Sequence, residues 1–260
     1  MFVSEPAAGR PSDTRPAERD IQGDEQRFLP YRAAVNINVP PPTPPEPSPL
    51  QIEVVYDLVC PWCYLGVRRL GRTLQRRPDL SFGLVWRPFL LNPDMPRAGM
   101  SRTDYVIRKF GGEDRARRLY GTIADVGLAE GIVFRFDRIR RTPSSIEAHR
   151  TVRWADRAGR GREVVEALFA AHFTDGLDIG DDAVLRDIVA ATGLPTAPFV
   201  AYLRSDDDVD LVHADNLRAH RLGINGVPCF VIAGRHAIAG AQEPEVIERL
   251  LDVAAVDVQF

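Results

Sequence analysis

Cysteine is scarce, with three in 260 residues, an odd count and too few for the disulfide framework of a small secreted domain. Whatever cysteine does here is chemistry more than scaffolding. Charge of one sign is not in excess either. Lys plus Arg number 33 and Asp plus Glu 36, a net of −3, so the whole-molecule field gives no reason to expect nucleic acid or an anionic membrane as a partner. No stretch approaches the ~18 uninterrupted apolar residues of a membrane span. Residues 1–39 also lack the roughly 7–15-residue apolar run of a secretory signal. The expectation is a cytoplasmic protein whose partners must be argued from a site.

What the chain does have is 45% apolar and 27% charged residues, an ordinary globular balance, over a length that gives between one and two domains. Proline is the unevenly spread residue: 11 of the 21 fall at or before Pro49, and seven of the ten positions from Pro40 to Pro49 are proline. Such a run lacks backbone donors and reads as a stiff polyproline II spacer, or as a ligand for an SH3-like partner. Tyr31 to Val39 alternates loosely and reads as a mobile tail, a short strand or a docking arm.

The first strong element is a near-continuous apolar run from Gln51 to Val59, as in a strand covered on both faces. It stops at Cys60-Pro61, and helical spacing follows over 62–77. Phe82, Leu84 and Trp86 then alternate as a second strand, completing a βαβ unit. From Ser101 to His220 the pattern is mostly helical, with helices predicted over 112–130, 145–158, 163–174, 182–191 (capped by Asp181), 198–204 and 207–222. Pro228 to Ile232 returns to strand, Ala233-Gly234 turns, His236 to Ala239 pairs back, and a closing helix starts at Glu243.

Cys60-Pro61-Trp62-Cys63 carries the specific chemistry. Two thiols three apart on a first helical turn can bridge through a small ring, and the first sits where free N–H groups and the helix dipole favour a thiolate. Such a pair attacks a disulfide with the outer sulfur and resolves the mixed disulfide with the inner one. Cys60 is then the nucleophile and Cys63 the resolving thiol. Half a zinc site looks the same, but Cys229 belongs to no second C-x-x-C, and histidines 149, 172, 213, 220 and 236 show no knuckle spacing to it. No metal and no cofactor beyond the redox-active disulfide is expected.

Together, three stretches resemble the DsbA-like thioredoxin-fold oxidoreductases, in particular the FrnE-type branch. They are Tyr56-Asp57-Leu58-Val59-Cys60-Pro61-Trp62-Cys63-Tyr64-Leu65-Gly66, Trp86-Arg87-Pro88-Phe89-Leu90-Leu91-Asn92-Pro93 and Gly223-Ile224-Asn225-Gly226-Val227-Pro228. Arg140-Arg141-Thr142-Pro143, Ala148-His149-Arg150 and Gly240-Ala241-Gln242 add to the likeness, which covers roughly residues 51–251. It implies an α/β thioredoxin fold interrupted by an all-helical insertion domain. The expected organisation is a proline-rich extension over 1–49, a thioredoxin-like domain from 50–100 and 206–260, and an insertion over 101–205. It also implies dithiol–disulfide oxidoreductase or isomerase activity on a disulfide-containing protein or a small thiol substrate, with glutathione as a conceivable thiol partner.

In that architecture the proline of Val227-Pro228 follows a cis bond and faces the cysteines, leaving the Val227 backbone free to pair with an extended substrate. Trp62 would shape the substrate groove. The position after the late proline is usually aromatic in this branch, whereas here it is Cys229, either a small buried residue or a third thiol within reach of the pair. His149, on an insertion helix, either tunes the thiolate or is structural. Asp57 and Glu53 are candidate proton acceptors for Cys63. Arg138, Arg140 and Arg141 read as a solvated face or a source of positive potential. Two rivals remain: a glutathione-dependent isomerase or transferase of the kappa-class type, whose relatives carry serine where Cys60 stands, and a non-catalytic holdase that binds polypeptides in an apolar groove.

Overall fold

Strand β1 (Leu50–Tyr56) organises the molecule, because its β-branched and aromatic residues are buried on both faces of a central sheet. The computed structural model describes residues 49–258, which fall in one compact unit. The proline-rich run before Pro49 and the segment from Tyr31 to Val39 lie outside the described residues. The sheet has the order β2-β1-β5-β6, where β2 is Phe82–Pro88, β5 is Cys229–Ile232 and β6 is His236–Ala239. β1 pairs in parallel with β2 and antiparallel with β5, which pairs antiparallel with β6. A parallel neighbour requires a crossover, and helix α1 (Pro61–Gln75) supplies it.

The period of two separates the faces of β1. Leu50, Ile52, Val54 and Tyr56 enter the main core with Leu65 and Leu70 of α1 and Ile247 and Leu251 of the closing helix. Val55 points the other way, into a smaller cluster with Phe89, Ala219 and Cys229. Between β2 and β5 the chain is almost wholly helical: α2 (Arg102–Phe110), α3 (Glu113–Ala129), α4 (Ile146–Asp156), α5 (Gly161–Ala170), α6 (Asp182–Ala191), α7 (Thr196–Leu203) and α8 (Val209–Arg221). Helix α9 (Pro244–Val258) closes the chain. Main-core residues come from sheet and helical block alike, among them Ile123, Ala148, Val152, Phe169 and Phe199.

Four details depart from the sequence pattern. β1 ends at Tyr56 rather than Val59, because the Asp57 carboxylate accepts the Val59 N–H at 3.3 Å and the Asp57 carbonyl accepts the Cys60 N–H at 3.0 Å, closing a turn. α2 stands as a separate helix, capped by Ser101 Oγ accepting the Asp104 N–H and ended by Gly111 in the left-handed region, φ 76°. The helix expected to run to Thr174 passes after Ala170 into a π-helical turn, Ala171–Asp175, and Phe173 packs there against Phe134, Phe136, Tyr64 and Phe169. Two-residue strands β3 (Met100–Ser101) and β4 (Arg141–Thr142) form a ladder too short to leave a periodic signal.

Candidate active site

The turn after β1 delivers Cys60 to the N-cap of α1, with Pro61 at the first helical position, where a missing N–H leaves no bond unmade. Cys60 is 5% exposed, and its Sγ lies 3.7 Å from the Val227 carbonyl oxygen as a weak donor. The Val227–Pro228 peptide bond is cis. Val227 lies just before β5, and its carbonyl is paired with none of the β5 ladder partners. Gly66 permits this approach: a Cβ there would stand 2.7 Å from Pro228 Cγ and 3.2 Å from Phe230 Cζ, so only glycine lets α1 lie against the proline. Trp62 is half-buried beside the pair and packs on the core.

Cys63 is fully buried one turn further along, its N–H bonded to the Cys60 carbonyl. All three cysteines are free thiols. Burial pushes the Cys63 thiol well above its ordinary range, reinforced by the neighbouring Cys60 thiol and only partly opposed by the Asp57 N–H, which donates to Cys63 Sγ at 3.5 Å. Asp57 is also wholly buried. Its second carboxylate oxygen accepts the Leu91 N–H at 2.8 Å, tying the loop after β2 to the cysteine turn.

His149 of α4 is 0% exposed, with Nε2 3.6 Å from Asp57 Oδ1, just outside hydrogen-bond range. Among the described residues neither of its ring nitrogens has a partner, nor has the hydroxyl of Tyr56, whose ring meets the imidazole edge-on at 5.0 Å. Burial drives the Tyr56 phenol well above its ordinary range, and Asp156, Asp57 and Cys63 add to the effect. Native interiors leave few polar groups unpaired, so this cluster beneath the resolving thiol is unusual. Its neighbour Arg150 is the opposite case. Equally buried, it donates to the carbonyls of Tyr202, Ser205 and Asp207 and pairs with Glu147, tying α4 to the α7–α8 connection.

The structure therefore brings together Cys60, Pro61, Trp62, Cys63, Val227 and Pro228, with His149 below them. It does not bring Cys229 to the pair. Phe230 faces α1, so its neighbour Cys229 points through the other side of the sheet, 4% exposed among Val55, Phe89 and Ala219, where burial raises its thiol. Glu53 is likewise turned away. Burial would raise its carboxyl, but hydrogen bonds from Arg218 and Arg87 outweigh this and hold it below its usual range. Tyr56 gave no separate signal in the sequence, because inside an apolar run a tyrosine reads as core.

Among the described residues no group of three or more His, Cys, Asp or Glu side chains is placed to hold a metal, and no helix is long and apolar enough to cross a membrane. A family model for a DSBA-like thioredoxin domain matches residues 51–252. The Bacillus subtilis (strain 168) protein YwbO is 25% identical over 205 residues, covering 78% of this chain and 96% of its own. The crystal structure of a probable DsbA oxidoreductase from Streptomyces coelicolor superimposes with a TM-score of 0.73 at 28% identity, over 79% of this chain and 89% of the other. The fold of the cytosolic disulfide reductase DsbM from Pseudomonas aeruginosa is similar too, with a TM-score of 0.57 at 19% identity, over 80% of this chain and 98% of the other. With the thiol pair at the head of α1 and the family match spanning the whole sheet, the chain belongs to the DsbA-like thioredoxin-domain family of thiol–disulfide oxidoreductases.

Proposed function

We propose that this protein exchanges disulfides through the Cys60–Cys63 pair, with Cys60 as nucleophile and Cys63 as resolving thiol. The observation that carries this reading is the placement of the more accessible Cys60 at the N-cap of α1, against the Val227 carbonyl, with a fully buried Cys63 behind it. In the reducing direction the Cys60 thiolate attacks a substrate disulfide, forming a mixed disulfide and releasing one substrate thiolate, which takes up a proton. Cys63, once deprotonated, then attacks Cys60 Sγ, releases the second substrate thiolate and leaves a Cys60–Cys63 disulfide. The substrate gains two electrons, and the pair loses two. The oxidising direction is the reverse, and the reduction potential selects between them.

Because burial holds Cys63 as the thiol, resolution requires a base. We assign the acceptor role to Asp57, whose backbone N–H reaches Cys63 Sγ and whose buried carboxylate lies 3.6 Å from His149 Nε2. An extended substrate segment lies along the Val227 backbone beside Pro228, and Trp62 forms the groove wall. Disulfide-bearing polypeptides and small disulfides are the substrates, glutathione is a thiol partner, and the chemistry takes place in the cytoplasm. The thioredoxin-like part comprises 50–100 and 206–260, with 101–205 as its helical insertion. Reduction of insulin by the full chain under a dithiol tests the reading: the wild type turns over, and Cys60→Ser does not. Equal rates in the two proteins refute it.

A further inference from the structure

Resolution by Cys63 leaves a proton deep in the protein. Cys63 and Asp57 are both 0% exposed, and in the mixed disulfide the substrate covers the Cys60 side, so a proton taken from Cys63 has no direct way to water. Behind the pair, α4 offers a route. His149, Arg153 and Asp156 are spaced at helical repeat and share one face of that helix. His149, near its start, faces the Asp57 carboxylate at 3.6 Å, and Asp156, its last residue, is exposed.

Tyr56 lies between the two ends. Its ring meets His149 edge-on at 5.0 Å, and beyond burial the groups that act on its phenol are Asp156 first, then Asp57 and Cys63. The Tyr56 hydroxyl and both His149 nitrogens are buried and have no hydrogen-bond partner among the described residues. Groups of this kind are what a buried water bridges, typically with about three hydrogen bonds. Arg153 is anchored to Asp215 at 2.8 Å and stays protonated, so it contributes charge to this face and passes no proton. The Asp156 carboxylate lies over Gly161, where a Cβ would collide with Oδ1, and burial raises it, which makes it a better proton acceptor.

We propose that His149, Tyr56 and Asp156 are positioning residues that relay the Cys63 proton from Asp57 to solvent, with ordered water bridging His149 and Tyr56. Asp57 gives the proton to His149 Nε2, and His149 releases one from Nδ1 through water to the Tyr56 oxygen. The phenol passes on its own proton, and Asp156 delivers it to bulk water. No electrons move in the relay. His149 changes tautomer, and the return of a proton to Cys63 reverses that change when the pair is reduced again. The relay rests on the Cys60–Cys63 exchange proposed above.

Stopped-flow mixing of the reduced full-length protein with a symmetric nitrothiobenzoate disulfide tests it, because each half of that reagent leaves as a coloured thiolate. The first phase reports attack by Cys60, and the second reports attack of Cys63 on Cys60 Sγ. Tyr56→Phe keeps the ring packed on Trp86, His149 and Phe169 and removes only the hydroxyl, so it tests the relay without emptying the core. It should slow the second phase about tenfold and leave the first unchanged. Asp156→Asn, at an exposed position, should slow the second phase about threefold in dilute buffer, and added imidazole should restore it by taking the proton from the relay. A second phase equal to wild type in either variant, equal slowing of both phases, or an Asp156→Asn rate that imidazole does not restore overturns the relay. Release of both coloured thiolates by Cys63→Ser instead contradicts the exchange itself, and the relay falls with it.

Discussion

The two faces of the central sheet carry the same kinds of groups in opposite surroundings. On the α1 face, Asp57 and Cys63 are buried beside an imidazole and a phenol that have no hydrogen-bond partner among the described residues. On the α8 face, Glu53 is clamped by Arg87 and Arg218, and Cys229 is packed among aliphatic and aromatic side chains. The second face is satisfied, as interiors generally are. The first leaves polar groups without partners around one thiol, which suits a site where protons must move and bonds must change. Burial alone does not separate them, since both thiols are pushed upward by it.

The largest expected difference between the faces is in turnover. Cys60→Ser should lower dithiol-driven insulin reduction by at least about 10³-fold, equivalent to about 4 kcal/mol. Cys229→Ala should leave the rate within about twofold, because its thiol lies on the far side of β5. A comparable loss in Cys229→Ala would erase the distinction between the faces.

Adjacent residues of α4 make the same contrast on stability. Replacing Arg150 with methionine strips the α7–α8 carbonyls of their guanidinium donor and leaves the buried Glu147 with only the exposed Arg97 as a partner, which should cost about 3 kcal/mol in urea unfolding. His149→Leu removes nitrogens that have no partner among the described residues and should cost less than about 1 kcal/mol. It should nevertheless slow decay of the Cys60 mixed disulfide, and an unchanged decay rate across pH 6–9 would make His149 purely structural.

A third test concerns His172 in the π-helical turn, where burial lowers its pKa to about 4. Its folded pKa lies below its unfolded value of about 6.5, so the unfolded chain binds the extra proton first. Its contribution is full above about pH 6.5 and falls by about 1.4 kcal/mol per pH unit down to about pH 4. His172→Gln should flatten that part of the stability profile. The smallest effect separates the carboxylates: Asp57→Asn should slow mixed-disulfide resolution about a hundredfold, the low end for loss of a general base, whereas Glu53→Gln should not change it.

The sequence carried much of this. The strand-to-helix junction at Cys60, the capped helix at Asp181 and the β5–β6 return were all legible, because each combines a period with a punctuating residue. The end of β1 was misplaced by three residues: an apolar run cannot reveal that Asp57 folds its carboxylate back on Val59. The orientation of Cys229 depends on strand register, and a one-residue step in register exchanges the faces of a strand. The different parts played by His149 and Arg150 depend on which long-range partners reach α4, and local pattern contains no trace of those partners.

The central claim is that Cys60 alone among the three thiols makes the first bond to substrate. Cys63→Ser should trap that bond, so the variant mixed with a disulfide peptide and mapped by mass spectrometry should carry the peptide on Cys60, with Cys229 free. Peptide on Cys229, or a variant that forms no adduct while the wild type turns over, would contradict the account.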